Sequence, residues 1–225
     1  MSNAIAKAWF GLFFLVVVMG LVLFIPAWTV RYWQAWLYLG LFALSVGAIT
    51  LYLVRNDRAL LERRTSAGPG AEKESEQKII QVIAQFAFLA VLLVPALDHR
   101  FAWSDVPTYG VIAGDVAALL GLYIVFRVFR ENTFTSAIIE IAKEQKVIST
   151  GPYAIVRHPM YSGAFIVLIG TPVALGSWWG LLAFIPIAAA IIWRLFGEEK
   201  FLAKNLAGYA DYCARVRWRL MPGIF

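Results

Sequence analysis

Two adjacent carboxylates, Glu198 and Glu199, stand at the end of a long apolar run, with Arg194 four residues ahead of the first. Carboxylates at such a boundary repel each other and resist desolvation, so at least one needs a cationic partner. On a helix, the four-residue spacing brings Arg194 beside Glu198. The same carboxylates would also accept hydrogen bonds from a cationic or polyhydroxyl ligand. A second group is Arg157-His158-Pro159-Met160-Tyr161-Ser162-Gly163. Pro159 forces His158 toward extended backbone, turning its side chain out of helical register, and Gly163 lets another backbone or a ligand come close. The plainer use of this stretch is a helix start, with His158 capping the helix or bonded to backbone.

The elements that must carry these groups are apolar. Hydrophobic residues make up 61% of the 225 and charged ones only 15%, with a mean hydropathy of +0.71, far above an average soluble domain. The apolar residues come in blocks at 9–28, 33–54, 79–97 and 109–129, each approaching the ~20 residues that cross a bilayer. A fifth block, 162–194, is too long for one span. Thr171-Pro172 and Gly176-Ser177 interrupt it, which predicts a tight helical hairpin. The first block is longer than the ~7–15 apolar residues of a signal peptide and ends in bulky Trp28, so it reads as a retained span. The fold class is therefore all-α: a polytopic transmembrane helical bundle of about six spans.

Orientation follows from the basic residues. With six spans and an inner N-terminus, all of the 20 Lys and Arg except Arg31 and Arg100 fall on one side, which predicts an integral membrane protein with both termini cytoplasmic. A bacterial inner membrane is the expected location. The net charge of +6 then describes a face set against anionic head groups, with no basic soluble domain to bind nucleic acid. The lone cysteine, Cys213, excludes an internal disulfide. His99 reads as a loop residue on the face opposite His158, so no metal site is expected.

Three inner segments remain. Residues 55–78, with Gly68-Pro69-Gly70 between charged clusters, read as a mobile connector with helical shoulders, expected to be a solvated loop, with contact to substrate as the alternative. Residues 130–161 mix Phe134, Ile138, Ile139, Ile141, Val147 and Ile148 with charges and read as packed against the membrane core. The tail from 198 to 225 repeats Phe201, Leu202, Leu206, Tyr209, Tyr212 and Val216 at three- and four-residue spacing, which predicts a C-terminal amphipathic interfacial helix. Asp115, inside the fourth block, is an intramembrane acid and a functional candidate by its position. Pairing with Arg100 or Tyr109 near the outer boundary is the expected alternative.

Taken in order, Asn132-Thr133-Phe134, Gly151-Pro152-Tyr153, the 157–163 run, Glu198-Glu199, and the Tyr209–Tyr212 stretch leading to Arg219-Leu220-Met221-Pro222 resemble one pattern. It is that of the isoprenylcysteine carboxyl methyltransferase and phospholipid methyltransferase superfamily. The resemblance covers about 130–225, and the first spans contribute only hydropathy. It divides the chain into 1–129, four spans with the 55–78 loop, and a cofactor-binding half, 130–225, with the 162–194 hairpin.

The resemblance implies an enzyme that binds S-adenosylmethionine on its inner side, with His158, Pro159, Tyr161, Glu198 and Glu199 contributing to the pocket. The chemistry of that cofactor agrees. Its ammonium and ribose diol call for carboxylates, its carboxylate for donors such as Arg157, and its adenine or sulfonium for the ring of Tyr153 or Tyr161. Methyl transfer from a sulfonium needs alignment and dryness more than an enzymic nucleophile. For a carboxylate acceptor Arg194 would orient the anion; for an amine, Glu198 would take the proton. Both remain open, and the acceptor is expected to be a lipophilic small molecule or lipid, since a water-soluble one would not call for six spans. The tail also resembles membrane sterol reductases that use NADPH, but Glu198-Glu199 and the lack of spare arginines for a 2′-phosphate count against that reading. A non-enzymatic membrane scaffold is the third alternative.

Overall fold

The computed structural model describes residues 3–65, 70, 72, 74–139 and 145–225. Gly68-Pro69, Ile141 and two of the basic residues counted above, Lys73 and Lys143, lie outside the described residues. Among those described, the structure is entirely helical. In chain order the helices are α1 (Asn3–Ala27), α2 (Trp33–Asn56), α3 (Arg58–Thr65), α4 (Ser75–Phe101), α5 (Thr108–Glu131), α6 (Pro159–Ala174), α7 (Gly180–Asn205) and α8 (Tyr209–Arg215), with a 3₁₀ turn at Gly151–Ala154. Helices α1, α2, α4, α5 and α7 are long and apolar enough to cross a membrane, and α6 is a shorter apolar helix of 16 residues. The protein is a polytopic helical membrane bundle.

The closest packing joins α5 to α6, and glycine makes it possible. A Cβ at Gly114 would collide with the Ala174 backbone, and one at Gly121 would lie 2.8 Å from the Val167 nitrogen. Small residues at seven-residue spacing let the two backbones touch, a source of packing energy that remains available where lipid removes the hydrophobic drive between helices. Elsewhere the lipid-embedded bundle closes through buried polar contacts. The Tyr32 hydroxyl donates to the Leu175 carbonyl at 2.6 Å, and the Tyr38 and Thr171 hydroxyls lie 2.7 Å apart. Asp98 accepts from the Ser104 amide at 2.7 Å, the Ser104 hydroxyl and the Ser177 hydroxyl, fastening the α6–α7 turn to the end of α4. Trp28, Trp33, Trp36, Trp103, Tyr109, Trp178 and Trp179 are exposed at this same end, as in an interfacial aromatic belt. The basic residues crowd the other end.

Four expectations need amendment. Helix α6 runs unbroken through Thr171 and Pro172, and the hairpin turns at 175–179, where Gly176 takes φ +77°. The tail is not one amphipathic helix: α7 ends at Asn205, Gly208 at φ +81° redirects the chain into α8, and residues beyond Arg215 are non-helical. His99 is in the last turn of α4, where it stacks on Tyr32 with ring centroids 4.0 Å apart. Asp115 is buried, and neither carboxylate oxygen has a hydrogen-bond partner among the described residues; Arg100 instead covers Trp28 and Phe101, and Tyr109 is exposed.

Helix lengths fix the depth of the basic end. At 1.5 Å per residue, Pro159 lies about 22 Å from Ala174 along α6, and Glu198 lies about 27 Å from Gly180 along α7. The start of the short helix and the acidic doublet of the long one thus meet at one level, just inside the end of the bundle.

Candidate functional site

At that level the bend before α6 closes on α7. His158 precedes α6 with φ −124° and ψ 62°, and Pro159 opens the helix, where its missing N–H costs nothing. The Tyr161 hydroxyl donates to Glu198 Oε2 at 2.7 Å. His158 Nε2 lies 3.2 Å from Glu199 Oε1. Arg157 Nε is 3.1 Å from the same oxygen, an ion pair off the line of a hydrogen bond, and Arg219 Nε donates to Glu199 Oε2 at 2.9 Å. Glu199 therefore ties three segments together: the bend, α7 and the tail.

The tail repeats that tie through its backbone. The Arg157 amide donates to the Trp218 carbonyl at 2.8 Å, the His158 amide to Arg219 at 2.9 Å, and the Ser162 hydroxyl to Leu220 at 2.6 Å. The segment expected to lie flat on the membrane is instead a strap that holds the bend extended.

In front of this strap is a cavity of about 900 Å³, counted with its open mouth. Tyr153, Arg157, His158, Pro159, Tyr161, Arg194 and Glu198 all line it, and Tyr209 and Tyr212 close its floor. Glu199 stands behind the wall, its oxygens taken by Arg157, His158 and Arg219. The Tyr212 hydroxyl donates to the Tyr153 carbonyl at 2.8 Å, and the Asn132 amide to the Tyr153 hydroxyl at 3.0 Å. Burial pushes the Tyr153 and Tyr212 phenols well above their ordinary value, so both stay protonated donors. The 3₁₀ turn presenting Tyr153 needs Gly151, which takes φ +55° with the Glu131 side chain packed where a Cβ would stand. One buried group here is unspent: the Tyr209 hydroxyl has no oxygen or nitrogen partner among the described residues.

A second cavity of about 910 Å³ adjoins the first and shares Ser136, Met160, Tyr161 and Arg194 with it. Its other walls come from α3, α4 and Ala137. Arg194 stands between the two, but its partner is not Glu198. Its guanidinium contacts Glu72 at 2.6 Å, Gln77 Oε1 at 3.2 Å and the Ala137 carbonyl at 3.1 Å. Glu198 satisfies itself with Tyr161, so the doublet needs no help from Arg194.

Sequence reasoning missed Glu72, Arg63 and Arg64 by assigning 55–78 to a solvated connector. Glu72 is buried and accepts from Gln81 at 2.6 Å and from the Ile139 amide at 3.3 Å. Arg63 and Arg64 donate to the carbonyls of Thr133 and Ser136. The available signal was the run of charge between the two flanking helices, but nothing in it distinguishes a docked loop from a free one.

Residues 109–208 match the family described as phospholipid methyltransferase. The Arabidopsis thaliana protein named protein-S-isoprenylcysteine O-methyltransferase B is 29% identical over 146 residues, covering 61% of this chain and 66% of that one. An Oryza sativa subsp. indica protein named probable protein-S-isoprenylcysteine O-methyltransferase is 32% identical over 132 residues, covering 56% and 64%. The chain thus spans just under two-thirds of these relatives' own length. The matched region contains the bend, the acidic doublet and most of the cavity they enclose.

Proposed function

We propose that this protein is an integral-membrane methyltransferase that moves a methyl group from S-adenosylmethionine to a lipophilic acceptor, with the donor held in the first cavity and the acceptor in the second. The observation that carries this reading is the wall the two cavities share, formed by Tyr161, Met160, Ser136 and Arg194. A donor and an acceptor of opposite solubility need separate approaches that meet at one point, and two adjoining chambers provide that.

The first cavity suits the donor. Glu198 is an acceptor for the cofactor's ammonium or ribose, Arg157 faces the same space, and the unspent Tyr209 hydroxyl is a buried donor in want of an oxygen. Tyr153, His158, Pro159 and Tyr161 supply ring and apolar contact, and Glu199 acts behind them by fixing Arg157 and His158. The bound cofactor supplies an electrophilic methyl on a sulfonium sulfur. What the chain contributes is alignment, since Tyr161 and Arg194 border both chambers, and exclusion of water by the apolar flank. Arg194 orients a carboxylate acceptor; where the acceptor is an amine, Glu198 receives the proton it loses. The relatives' names make a prenylcysteine carboxylate the first acceptor to try. With the basic end inward, both termini and the donor cavity face the cytoplasm.

The test is calorimetric titration of the detergent-solubilised protein with S-adenosylmethionine and with NADPH, followed by incubation with radiolabelled S-adenosylmethionine and a membrane lipid extract. We expect S-adenosylmethionine alone to bind, binding to be lost in the folded His158→Ala and Glu198→Ala proteins, and label to enter the lipid fraction. Binding of NADPH, or of neither molecule, would end the proposal.

A further inference from the structure

Away from both cavities, the outer flank of α5 carries arginine with no counter-ion. Tyr123, Phe126, Arg127 and Arg130 come at three- and four-residue spacing and so form one stripe along the basic-end half of the helix. Tyr123, Arg127 and Arg130 are exposed. The stripe borders α2, where Tyr52 meets Phe126 edge to face with ring centroids 5.0 Å apart. Arg55, three residues further along α2 on the same face, is exposed as well. Side chains of a helix lean toward its N-terminus, and α5 begins at the aromatic-belt end, so its arginines are drawn back from the basic end toward the hydrocarbon. Their contacts agree. The Arg127 guanidinium lies 6.0 Å from the Tyr123 ring centroid and donates to the Tyr123 hydroxyl at 3.4 Å, and the Arg130 guanidinium lies 5.9 Å from the Phe126 centroid.

These rings place the guanidiniums without neutralising them. Among the described residues, none of Arg55, Arg127 and Arg130 takes part in an ion pair. The acids that close the two helices are engaged elsewhere: Asp57 accepts from the Leu60 amide and the Thr133 hydroxyl, and Glu131 from the Thr150 hydroxyl. Arg127 is four residues from the end of α5, about 6 Å along its axis, which is head-group depth. The anion at that depth is phosphate, whose oxygens match the fork of a guanidinium.

We propose that the groove between the basic-end halves of α2 and α5 binds an anionic phospholipid through its phosphodiester, held by Arg127 and Arg130 with Arg55 alongside. Tyr52, Tyr123 and Phe126 offer apolar surface to the glycerol and upper acyl chains, a contact that inorganic phosphate cannot use. A zwitterionic lipid is disfavoured because its own ammonium, tethered to the phosphate, would stand beside unpaired cations. None of the three arginines binds through the cavities' walls, except that Arg55, Arg127 and Arg130 all lie outside both linings, so the proposal is independent of what the cavities hold.

The experiment titrates the full-length protein, stripped of lipid in a non-ionic detergent, with radiolabelled dioleoylphosphatidylglycerol and dioleoylphosphatidylcholine, which share their chains and differ in head group. Wild type is expected to bind the glycerol lipid at least about tenfold more tightly. The Arg127→Gln, Arg130→Gln double variant should lose that preference, and the Arg127→Lys, Arg130→Lys pair should retain part of it, because lysine keeps the charge but not the fork. Lys200→Gln with Lys204→Gln removes the same charge from exposed positions on α7 and should leave the preference intact. Inorganic phosphate in large excess should not displace the lipid. Equal affinities in wild type, a preference that survives in the glutamine pair, its loss in the α7 control, or displacement by phosphate would each overturn the proposal. If the glutamine pair shows no melting transition, the single Arg127→Gln variant and the wild-type comparison decide it.

Discussion

Replacing Glu199 with alanine tests whether the first cavity depends on the strap behind it. The carboxylate is 13% exposed and Arg157 9%, whereas Arg219 is 32% exposed. Removing one member of a buried pair costs about 3–5 kcal/mol because the other charge is stranded. Arg157 feels most of that; the wetter Arg219 adds no more than about 1 kcal/mol. The loss falls on a local equilibrium, since what remains to hold 216–225 is mainly three hydrogen bonds, from the Arg157 and His158 amides and the Ser162 hydroxyl. When the strap opens, the bend loses its extended form and the cavity its back wall. If binding requires the closed strap, about 3 kcal/mol appears as a roughly hundredfold weaker Kd for S-adenosylmethionine. Hydrogen exchange reads the opening directly at the Arg157 and His158 amides, and calorimetry reads the Kd. Glu199→Gln, which keeps one acceptor oxygen but loses the charge and turns its other end into a donor, should fall between. A Kd for Glu199→Ala within about twofold of wild type, with exchange unchanged, would show that the strap is not what shapes the cavity.

Gly121→Ala should destabilise the protein by about 1–3 kcal/mol through overpacking against the backbone of α6, read as a lower melting temperature in detergent; Gly11→Ala, which meets nothing, is the control. Cys213, the sole cysteine, is half-buried. In right-side-out vesicles it should resist a membrane-impermeant maleimide, and in inverted vesicles it should react; the reverse pattern would overturn the orientation drawn from the basic residues. Tyr153 and Tyr212 hold their protons more tightly folded than unfolded. Their contribution is therefore complete below about pH 10 and is lost as pH rises through the raised folded value. The melting temperature of a Tyr153→Phe, Tyr212→Phe double variant should fall less steeply above that pH than wild type, and parallel slopes would refute the assignment.

Much of the architecture is legible because the bilayer leaves the chain few choices. Spans must be helices about as long as the hydrocarbon is thick, so the blocks at 33–54 and 109–129 differ from α2 and α5 by only a few residues at either end. The hairpin turns at Gly176-Ser177, one of the two expected interruptions, whereas α6 continues through the other, Thr171-Pro172, to Ala174 although Pro172 cannot make its bond to the carbonyl four residues back. The tail misled for a different reason. Its three- and four-residue spacing is real, and Leu206, Tyr209 and Tyr212 do form a buried cluster, but they pack against Tyr153 and Val147 rather than lipid. Periodicity reports that a face is buried and not what covers it. In the site, His158, Tyr161, Glu198 and Glu199 are readable as polar groups set against apolar helices. Arg64 and Glu72 are not, because their roles arise from a loop docking on residues about 70 positions away.

The two cavities owe their meeting point to a mismatch in helix length. An α6 as long as its partner would carry His158 and Tyr161 past the bundle end into water, where the Tyr161–Glu198 and His158–Glu199 contacts would be screened. At 16 residues, α6 stops short, and α7 at 26 residues continues past it, offering Arg194 and then Glu198 and Glu199 to the space beyond. The strap and the 130–139 segment fill that space, the first held by Glu199 and the second by Arg63, Arg64 and Arg194. What results is a polar site at the depth of the head groups, open to water through one cavity and bordered by α4 in the other. A variant that loosens 55–78 should therefore disturb both cavities, read as weaker S-adenosylmethionine binding, because the segment that Arg63 and Arg64 hold supplies Asn132, Phe134, Thr135 and Ser136 to the first cavity and Ser136 and Ala137 to the second.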